Sequence, residues 1–302
     1  ENMLKAAIEF GKNKLGTPIL IGTEKRIKEQ LKKIGLDENH KIKIVNSTDK
    51  EKRERYVKHL YKRLQREGQL ERDVDRLVRN DRIAWGASMI ACRDADAMVT
   101  GNIRHYTASI EKLKKVVDPR PGEEIFGMTM INSKGRTILV ADTNVQDFPS
   151  AERLVNVSKS CVRVARLFGF DPKVAFLSHS TFGKPVSKNT KHVRDAIEIL
   201  KKEKVDFDFD GEMQPDVALN PIYQEIYPFS KIVGRANILI MPALHSAAIS
   251  TKLMKVYGDA KLIGPLLIGL GLPIEVAPLR SSTSDILNLA SVAAYSSHVI
   301  KY

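Results

Sequence analysis

The sequence predicts an α/β protein with mostly parallel sheets and helices on both faces of each sheet. Three observations support this fold class. Short apolar segments alternate with amphipathic helical segments along the chain, which is the pattern of strands joined by crossover helices. The segment at 173–177 is a continuous apolar run after its first residue, as expected of a strand covered on both faces. The 302 residues, 43% of them apolar, suffice to bury the core of one large or two medium domains.

The elements of the first half follow from local patterns. The chain opens at Glu1, not Met, inside a helical pattern with apolar residues at Leu4, Ala7 and Ile8. This predicts either a piece cut from a longer polypeptide or a disordered start. A short apolar run ending at Gly22 predicts a strand, and the amphipathic stretch after it predicts a helix at 24–34. Further strands are predicted at 97–101, 125–131 and 136–141, the last two paired across a turn at 133–135.

The second half carries stronger signals. Ser150 is a suitable N-cap for a helix whose apolar stripe extends to Phe168. After the 173–177 strand, the periodic apolar residues predict a helix at 190–204, and Gly258 closes another. The remaining predicted elements are strands at 236–241, 262–268 and 273–277, a helix at 247–257, and a last helix from about 284 toward 302.

Composition excludes several classes of protein. Cys92 and Cys161 are far apart and in no C-x-x-C pattern, which argues against a disulfide framework or a zinc site and predicts a reducing, cytoplasmic location. No apolar run approaches the ~20 residues of a membrane span, and no signal peptide is visible. No metal site is predicted, and no Gly-x-Gly-x-x-Gly motif is present.

The net charge is +13, and basic residues concentrate between Lys50 and Arg82, where they alternate with acidic ones. This pattern predicts a solvated helical surface with ion pairs between residues four apart. Nucleic-acid binding is the alternative, but no helix-turn-helix, zinc finger or aromatic RNA-binding signature accompanies the charge. A general attraction of an anionic cofactor is a third interpretation.

Four loops at the carboxyl ends of predicted strands are candidate binding sites, because ligands of open α/β sheets bind there. Hydroxyl groups, backbone N–H groups, helix N-termini and cations in such loops bind anions, and phosphates above all. The loops are 177–184, 101–107, 242–249 and 278–285. Their candidate binding residues are Arg104, His105, Ser178, Ser180, Thr181, Gly183, Lys184, His245, Arg280, Ser281, Ser282, Thr283 and Asp285. Asp285 also suits a structural role in the first turn of the last helix, where an acid favours the helix dipole.

The order and spacing of six segments together resemble the phosphate acetyl/butyryl transferase family, from Glu1 to about Ala294. These segments are 94–101, 177–183, 210–219, 234–239, 263–266 and 285–288. The resemblance implies a phosphotransacetylase-like fold, related to isocitrate and isopropylmalate dehydrogenases, with two three-layer αβα domains and a cleft between them. It implies a discontinuous first domain, residues 1–130 plus 265–302, and a second domain at 131–264. The family's reaction moves an acyl group between phosphate and coenzyme A.

The groups that perform this reaction in active members are largely missing here. A gap-free alignment from Asp285 places the family's Ser-Arg-Gly on Pro278, Leu279 and Arg280. A shift by one residue would recover the arginine as Arg280, but not the serine. Arg104 stands where the family has a His, and Glu111 stands where it has an Arg. A carboxylate at a phosphate-binding position repels acetyl phosphate. In the third loop an Asp and a Gly-Asn pair are replaced by Ala243 and by residues 247–248, both alanines, while Lys252 is present. No catalytic residue is therefore assigned.

This combination is similar to the C-terminal domain of hybrid NADP-dependent malic enzymes. The similarity implies a non-catalytic regulatory domain that binds acetyl-CoA as an allosteric inhibitor and supports a homo-oligomer, a dimer or larger. It implies an upstream malic-enzyme domain that holds NADP and a divalent metal and oxidatively decarboxylates malate. The alternative is an active phosphate acetyltransferase or butyryltransferase. The features that favour it are Asp285, Arg280 and the 178–184 loop.

Overall fold

The computed structural model describes residues 1–35, 42–143, 145 and 147–300. In chain order the elements are α1 (Asn2–Lys12), β1 (Ile19–Ile21), α2 (Glu24–Lys33), β2 (Lys43–Val45), α3 (Lys50–Leu64), α4 (Glu71–Asn80), α5 (Arg82–Ala91), β3 (Met98–Gly101), α6 (Tyr106–Val116), β4 (Phe126–Ser133), β5 (Arg136–Ala141), α7 (Ala151–Leu167), β6 (Lys173–Leu177), α8 (Lys191–Glu203), β7 (Asp208–Met213), α9 (Pro215–Leu219), β8 (Ile238–Ile240), α10 (Leu244–Tyr257), β9 (Lys261–Ile268), β10 (Ile274–Ala277) and α11 (Thr283–Val299). The chain forms two units: unit 1 is Glu1–Pro119 with Leu270–Tyr302, and unit 2 is Arg120–Gly269.

Unit 1 is held together by helices around two small parallel strand pairs, β1 with β2 and β3 with β10. One hydrophobic cluster joins α3, α4 and α5 around the fully buried Trp85, whose ring meets Tyr56 edge-on at 5.0 Å between centroids. A second cluster packs α1 and α2 against β1 and β2. No sequence pattern predicted β2, which has only three residues and no buried one.

The basic segment of unit 1 forms α3, α4 and the start of α5, and several of its cations are ion-paired. Arg63 contacts Glu67 four residues on, as predicted, and also Asp118, with 2.9 Å between its Nη2 and the Asp118 Oδ1. Arg53 pairs with Asp75 of α4, and Arg55 pairs with Asp94 after α5. Pairs between elements therefore accompany the expected pair within one helix.

Unit 2 is built on a six-stranded sheet in the order β7-β6-β8-β5-β4-β9. The first four strands are parallel, whereas β4 is antiparallel to both β5 and β9. Leu239 of β8 belongs to the cluster that contains Ala218 of α9 and Ala247 of α10. The alternation of a strand places Ile238 and Ile240 on the opposite face. Helix α7 contacts strands β5 and β8, and α8 contacts β6 and β7. Unit 2 is therefore a three-layer αβα structure.

Most predicted elements are present within one to three residues of the predicted ends, and Ser150 caps α7 by accepting from the Arg153 N–H at 3.2 Å. The strand β7 was missed because its sequence, Asp-Phe-Asp-Gly-Glu-Met, is rich in polar residues and contains glycine. The last helix ends at Val299, and residues 301–302 of its predicted extension lie outside the described residues.

The predicted domain boundaries cut through two paired strands. Residues 120–130 and 265–269 were assigned to the first domain, but the structure places them in unit 2. The reason is the ladder between β4 and β9, in which Phe126 faces Ile268 and Met128 faces Leu266. Hydrogen bonding between these strands keeps both of them in one sheet, so the boundary lies outside the ladder.

The two ends of unit 2 are adjacent in space. The Arg120 N–H donates to the Gly269 carbonyl at 2.8 Å. Just outside, in unit 1, Pro119 bridges to Leu270 and the Gly271 N–H donates to the Asp118 carbonyl at 2.9 Å. Within the described ranges, none of the helices has the length and apolar character needed to cross a membrane.

Candidate functional site

Two of the four predicted loops come together in unit 1. They follow β3 and β10, which are parallel partners with Gly101 opposite Ala277, so both loops leave the same edge. The Asn102 N–H donates to the Ala277 carbonyl at 2.9 Å, and the Arg280 N–H donates to the Asn102 carbonyl at 3.3 Å. Gly101 permits this approach because it has φ +103° and because a Cβ there would lie 2.3 Å from the Ala277 carbonyl oxygen.

The loop after β10 uses most of its polar groups internally. The Ser281 hydroxyl is buried and donates to the Pro278 carbonyl at 2.8 Å. Ser282 and Asp285 form a capping box at the start of α11: the Ser282 Oγ accepts from the Asp285 N–H, and the Asp285 carboxylate accepts from the Ser282 N–H. Ser282 is therefore the N-cap, and Thr283 is the first helical residue. Asp285 has the structural role that its position suggested.

Arg280 is the residue of this loop that faces solvent with a charge. It is exposed and has a left-handed backbone conformation, with φ +61°. The left-handed region is uncommon for residues other than glycine, and such outliers cluster at functional sites. The Arg280 guanidinium is thus available to an anion at the edge where α11 begins.

The loop after β3 presents a helix N-terminus without a side-chain cap. His105 is the N-cap of α6 but makes no capping hydrogen bond with its exposed side chain. His105 therefore offers no side-chain acceptor to the start of α6, and the N-terminus of a helix favours an anion. Arg104 is half-exposed, and its Nη1 lies 3.9 Å from the Asp81 Oδ2. Burial would raise the pKa of the Asp81 carboxyl, but a hydrogen bond from Lys112 and backbone N–H groups outweigh it and lower that pKa.

In unit 2, the loop after β6 wraps around a buried carboxylate. The Ser180 hydroxyl donates to the Glu212 Oε1 at 2.6 Å, and the Gly183 N–H donates to the same atom at 3.3 Å. The Ser178 hydroxyl lies 3.2 Å from the Ser180 hydroxyl. Glu212 is 1% exposed. The prediction that these residues form an outward anion site is corrected for Ser180 and Gly183, because their donors serve an internal anion.

Arg194 of α8 supplies the counter-charge. Its Nη1 donates to the Glu212 Oε1 at 3.1 Å and to the Thr190 hydroxyl, and its Nη2 donates to the Ser187 carbonyl. Burying a carboxylate without a partner is costly, so this pair is required for the loop to keep its shape. No local sequence pattern predicted this pair. Glu212 lies in the segment 210–219, which served only as evidence of the family resemblance, and Arg194 looks like any charged residue on a helix surface.

The other predicted residues of this loop differ in exposure. Thr181 is buried, and its hydroxyl accepts from the Gln214 N–H at 3.2 Å. Thr181 and Lys184 exchange two backbone hydrogen bonds, which closes a tight turn. Lys184 itself is exposed. Of the predicted anion-binding groups in this loop, the Lys184 ammonium is the charged one that faces solvent.

The third loop precedes α10 and carries few polar groups. Its N-cap, Ala243, has no side-chain acceptor to offer. His245 is exposed and lies beside Phe148, with 5.7 Å between the ring centroids. The Pro242 carbonyl lies 3.0 Å from the His192 Nε2. The structure therefore gives His245 an aromatic contact with Phe148 at the start of α10.

A further acid at this sheet edge was not predicted. Asp142 follows β5, and its Oδ1 accepts from the N–H groups of Gly127 and Val145. Its Oδ2 lies 3.5 Å from the Nη2 of Arg153. Both side chains are buried, so this contact fixes the chain around β5.

Neither cysteine is placed for reaction. Burial raises the pKa of the Cys161 and Cys92 thiols, so both remain protonated at neutral pH. Among the described residues, no group of three or more His, Cys, Asp and Glu side chains is arranged to hold a metal ion.

The fold and the arrangement of these loops define a class of protein that the comparisons identify. The model of the phosphate acetyl/butaryl transferase family matches residues 1–294, and the chain belongs to that family. It is 43% identical over 294 residues to an NADP-dependent malic enzyme of Rhizobium meliloti, covering 97% of this chain and 39% of that protein. It is 28% identical to the phosphate acetyltransferase of Bacillus subtilis, covering 97% and 91% of the two chains. A phosphotransacetylase structure from Streptococcus pyogenes superposes with a TM-score of 0.87 at 27% identity, over 98% of this chain and 91% of that one.

The predicted similarity to the transacetylase-like part of malic enzymes is thereby confirmed, as is the α/β fold. The chain spans about 39% of the length of the malic enzyme from Rhizobium meliloti and about 40% of one from Rickettsia prowazekii, to which it is 37% identical.

Proposed function

We propose that this chain is the regulatory domain of a malic enzyme, binding acetyl-CoA as an allosteric inhibitor without transferring the acetyl group. The observation that carries the proposal is the contrast within the loops of unit 1. The charged group that can bind an anion is accessible, since Arg280 is exposed, and His105 makes no side-chain capping bond at the start of α6. The reacting groups expected of a transferase are replaced, since Pro278 and Leu279 stand where Ser and Arg are expected.

The electrostatics of α6 support binding without catalysis. Glu111, which stands where the resemblance expects an Arg, is exposed on this helix. A carboxylate there repels the dianion of acetyl phosphate. A coenzyme A thioester instead carries its charge on the nucleotide half, away from the acetyl group, so one carboxylate near the acyl end does not prevent its binding.

Inhibition requires that acetyl-CoA bind one state of the parent enzyme more tightly than another. Titration calorimetry of this chain with acetyl-CoA tests the binding step. The proposal fails if no heat of binding is observed at millimolar ligand.

We expect Arg280→Glu to weaken acetyl-CoA binding at least tenfold. A charge-assisted hydrogen bond is worth about 1.5–3 kcal/mol, and each 1.4 kcal/mol is tenfold in affinity. Arg93→Glu is the matched control, because Arg93 is also exposed and has the same φ of +61°. In the parent enzyme, Arg280→Glu should weaken inhibition and leave the uninhibited turnover unchanged. Equal affinity of the two variants would remove Arg280 from the binding site.

The second function to consider is acyl transfer between phosphate and coenzyme A. The 28% identity to a phosphate acetyltransferase over nearly its full length favours it, as does the exposed Arg280. Formation of acetyl-CoA from acetyl phosphate and coenzyme A decides between the two. Turnover well above background would replace the regulatory proposal, whereas binding of acetyl-CoA without turnover supports it.

The proposed homo-oligomer has a candidate contact surface on α10. Ile249, Leu253, Val256 and Tyr257 occupy positions i, i+4, i+7 and i+8 on one face of this helix and are 54–88% exposed. Exposed apolar stripes mark interaction sites. Because each copy of the chain carries the same stripe, α10 of one copy can pack against α10 of a second copy in a symmetric dimer.

Leu253→Asp should therefore shift the sedimentation coefficient toward the monomer, because it places a charge in the apolar contact. Lys202→Asp, which changes an exposed cation of α8, should leave the assembly unchanged. A monomeric wild-type chain, or an assembly that tolerates Leu253→Asp, would contradict this assignment.

A further inference from the structure

Three aromatic rings beside the loop after β6 form a cluster, here called the aromatic platform: Phe182, Tyr227 and Phe229. The ring centroids of Phe182 lie 5.3 Å from Tyr227 and 4.8 Å from Phe229, and those of Tyr227 and Phe229 are 6.1 Å apart. All three pairs have edge or tilted geometry, which is favourable for aromatic rings. The platform lies entirely within unit 2.

The backbone of Phe182 is held in an unfavourable conformation. Phe182 has φ +48°, in the left-handed region that bulky side chains avoid. Gly183, with φ +86°, follows in the same region without strain. The Phe182 N–H donates to the Glu212 carbonyl at 2.8 Å, so the loop around Glu212 fixes the strained residue in place. A glycine or asparagine would satisfy this backbone more easily, so the phenyl ring itself is what the position supplies.

The platform has a supported side and an open side. Phe182 packs against the hydrophobic cluster of unit 2 that contains Met213 and Ala218. Phe229 is 64% exposed although it contacts both other rings. A large aromatic ring left in water beside two further rings offers a flat, apolar surface to a ligand.

A cation accompanies the platform. Lys184 lies two residues after Phe182, in the turn that Thr181 closes, and is exposed. None of the described residues forms an ion pair with its ammonium group. Flat aromatic rings together with a solvent-facing cation are the combination that binds a nucleotide, because the base stacks and the phosphate pairs.

We propose that the aromatic platform stacks the purine ring of an adenine nucleotide, with Lys184 binding its phosphate. The inference rests on the proposed function, because acetyl-CoA contains such an adenine nucleotide. A coenzyme A thioester has an adenine base and a 3′-phosphate at one end and the acyl group at the other, so the two ends can be tested separately.

Phe229→Ala should weaken the binding of acetyl-CoA and of adenosine 3′,5′-bisphosphate by roughly tenfold each, about 1.4 kcal/mol. Binding of S-acetylpantetheine, which lacks the nucleotide, should be unchanged. Phe229→Trp should preserve the affinity, since stacking needs a flat ring. In the wild-type complex the adenine H2 and H8 proton signals should shift upfield through the ring currents, and this shift should be lost in Phe229→Ala.

Phe207→Ala is the matched control, because Phe207 is partly exposed and pairs with Phe209 at 5.9 Å but lies outside the platform. It should leave both affinities unchanged. If the wild-type chain binds acetyl-CoA and Phe229→Ala binds it equally well, the platform assignment is wrong and the proposed function stands. If the chain binds adenosine 3′,5′-bisphosphate through Phe229 but not acetyl-CoA, the nucleotide site stands and the proposed function falls. Wild-type adenine signals that do not move would show that the rings serve another contact, such as a protein segment, and would overturn the assignment.

Discussion

Arg194→Met should lower the free energy of unfolding by roughly 3 kcal/mol, because it leaves a buried carboxylate without its counter-charge. Glu212 is 1% exposed, and Arg194 is the cation that pairs with it. The lower end of the usual cost applies, since the Arg194 side chain is itself 36% exposed. The loss should appear in urea unfolding followed by circular dichroism, and as faster hydrogen exchange at the Gly183 amide, which donates to Glu212.

Two comparisons isolate the charge effect. Arg166→Met breaks an exposed pair with Asp206 and should cost no more than about 1 kcal/mol. Adding Glu212→Gln to Arg194→Met should recover part of the loss, because a neutral amide is cheaper to bury than a carboxylate. If Arg194→Met were as stable as Arg166→Met, Glu212 would not depend on Arg194 for its charge.

Gly101→Ala should destabilise unit 1 by about 3 kcal/mol or more, since strain at one left-handed residue alone costs on the order of 1–3 kcal/mol. The added methyl group would lie 2.3 Å from the Ala277 carbonyl oxygen, which is backbone and cannot rotate away. Separation of β3 from β10 should also break the link between Asn102 and Arg280, so acetyl-CoA binding should weaken as well. Fluorescence of Trp85, the single tryptophan, reports unfolding of unit 1.

Gly68→Ala separates the cost of the left-handed backbone from the cost of the clash between strands β3 and β10. Gly68 has a comparable φ of +81° in unit 1, but nothing lies within 4 Å of the Cβ that would be added. It should therefore cost only about 1 kcal/mol, from the backbone alone. Equal losses in the two variants would mean that the close approach of β3 and β10 does not determine the stability of unit 1.

Periodic apolar residues made most of the fold predictable. The stripe of α7 and its Ser150 cap, and the apolar core of β6, each follow from local sequence, and the structure has them where expected. Strand β7 was not predictable, because only its Phe209, Glu212 and Met213 are buried and one of these is charged. Burial of a carboxylate depends on a partner 18 residues away on another element, which no local pattern reveals.

The candidate site was predictable only in part for the same reason. The sequence located the loops correctly at the carboxyl ends of β3, β6 and β10, since topology alone sends them there. It could not tell which hydroxyls face outward. Ser180 and Ser281 are satisfied within the protein, whereas Arg280 and Lys184 face solvent. Long charged side chains rarely find partners inside a loop, and short hydroxyls usually do.

Because the first and last residues of unit 2 are adjacent, unit 2 is a single insertion into the chain of unit 1. Arg120 and Gly269 are joined by a backbone hydrogen bond, and Pro119 and Leu270 are bridged on the other side of the same junction. Unit 2 is inserted between Pro119 and Leu270, which are already in contact. Its insertion therefore leaves unit 1 with almost no loop to close, so the entropy of loop closure changes little. The two segments of unit 1 therefore meet where unit 2 begins and ends. Gene segments that encode unit 2 could be exchanged between relatives without changing either strand pair of unit 1.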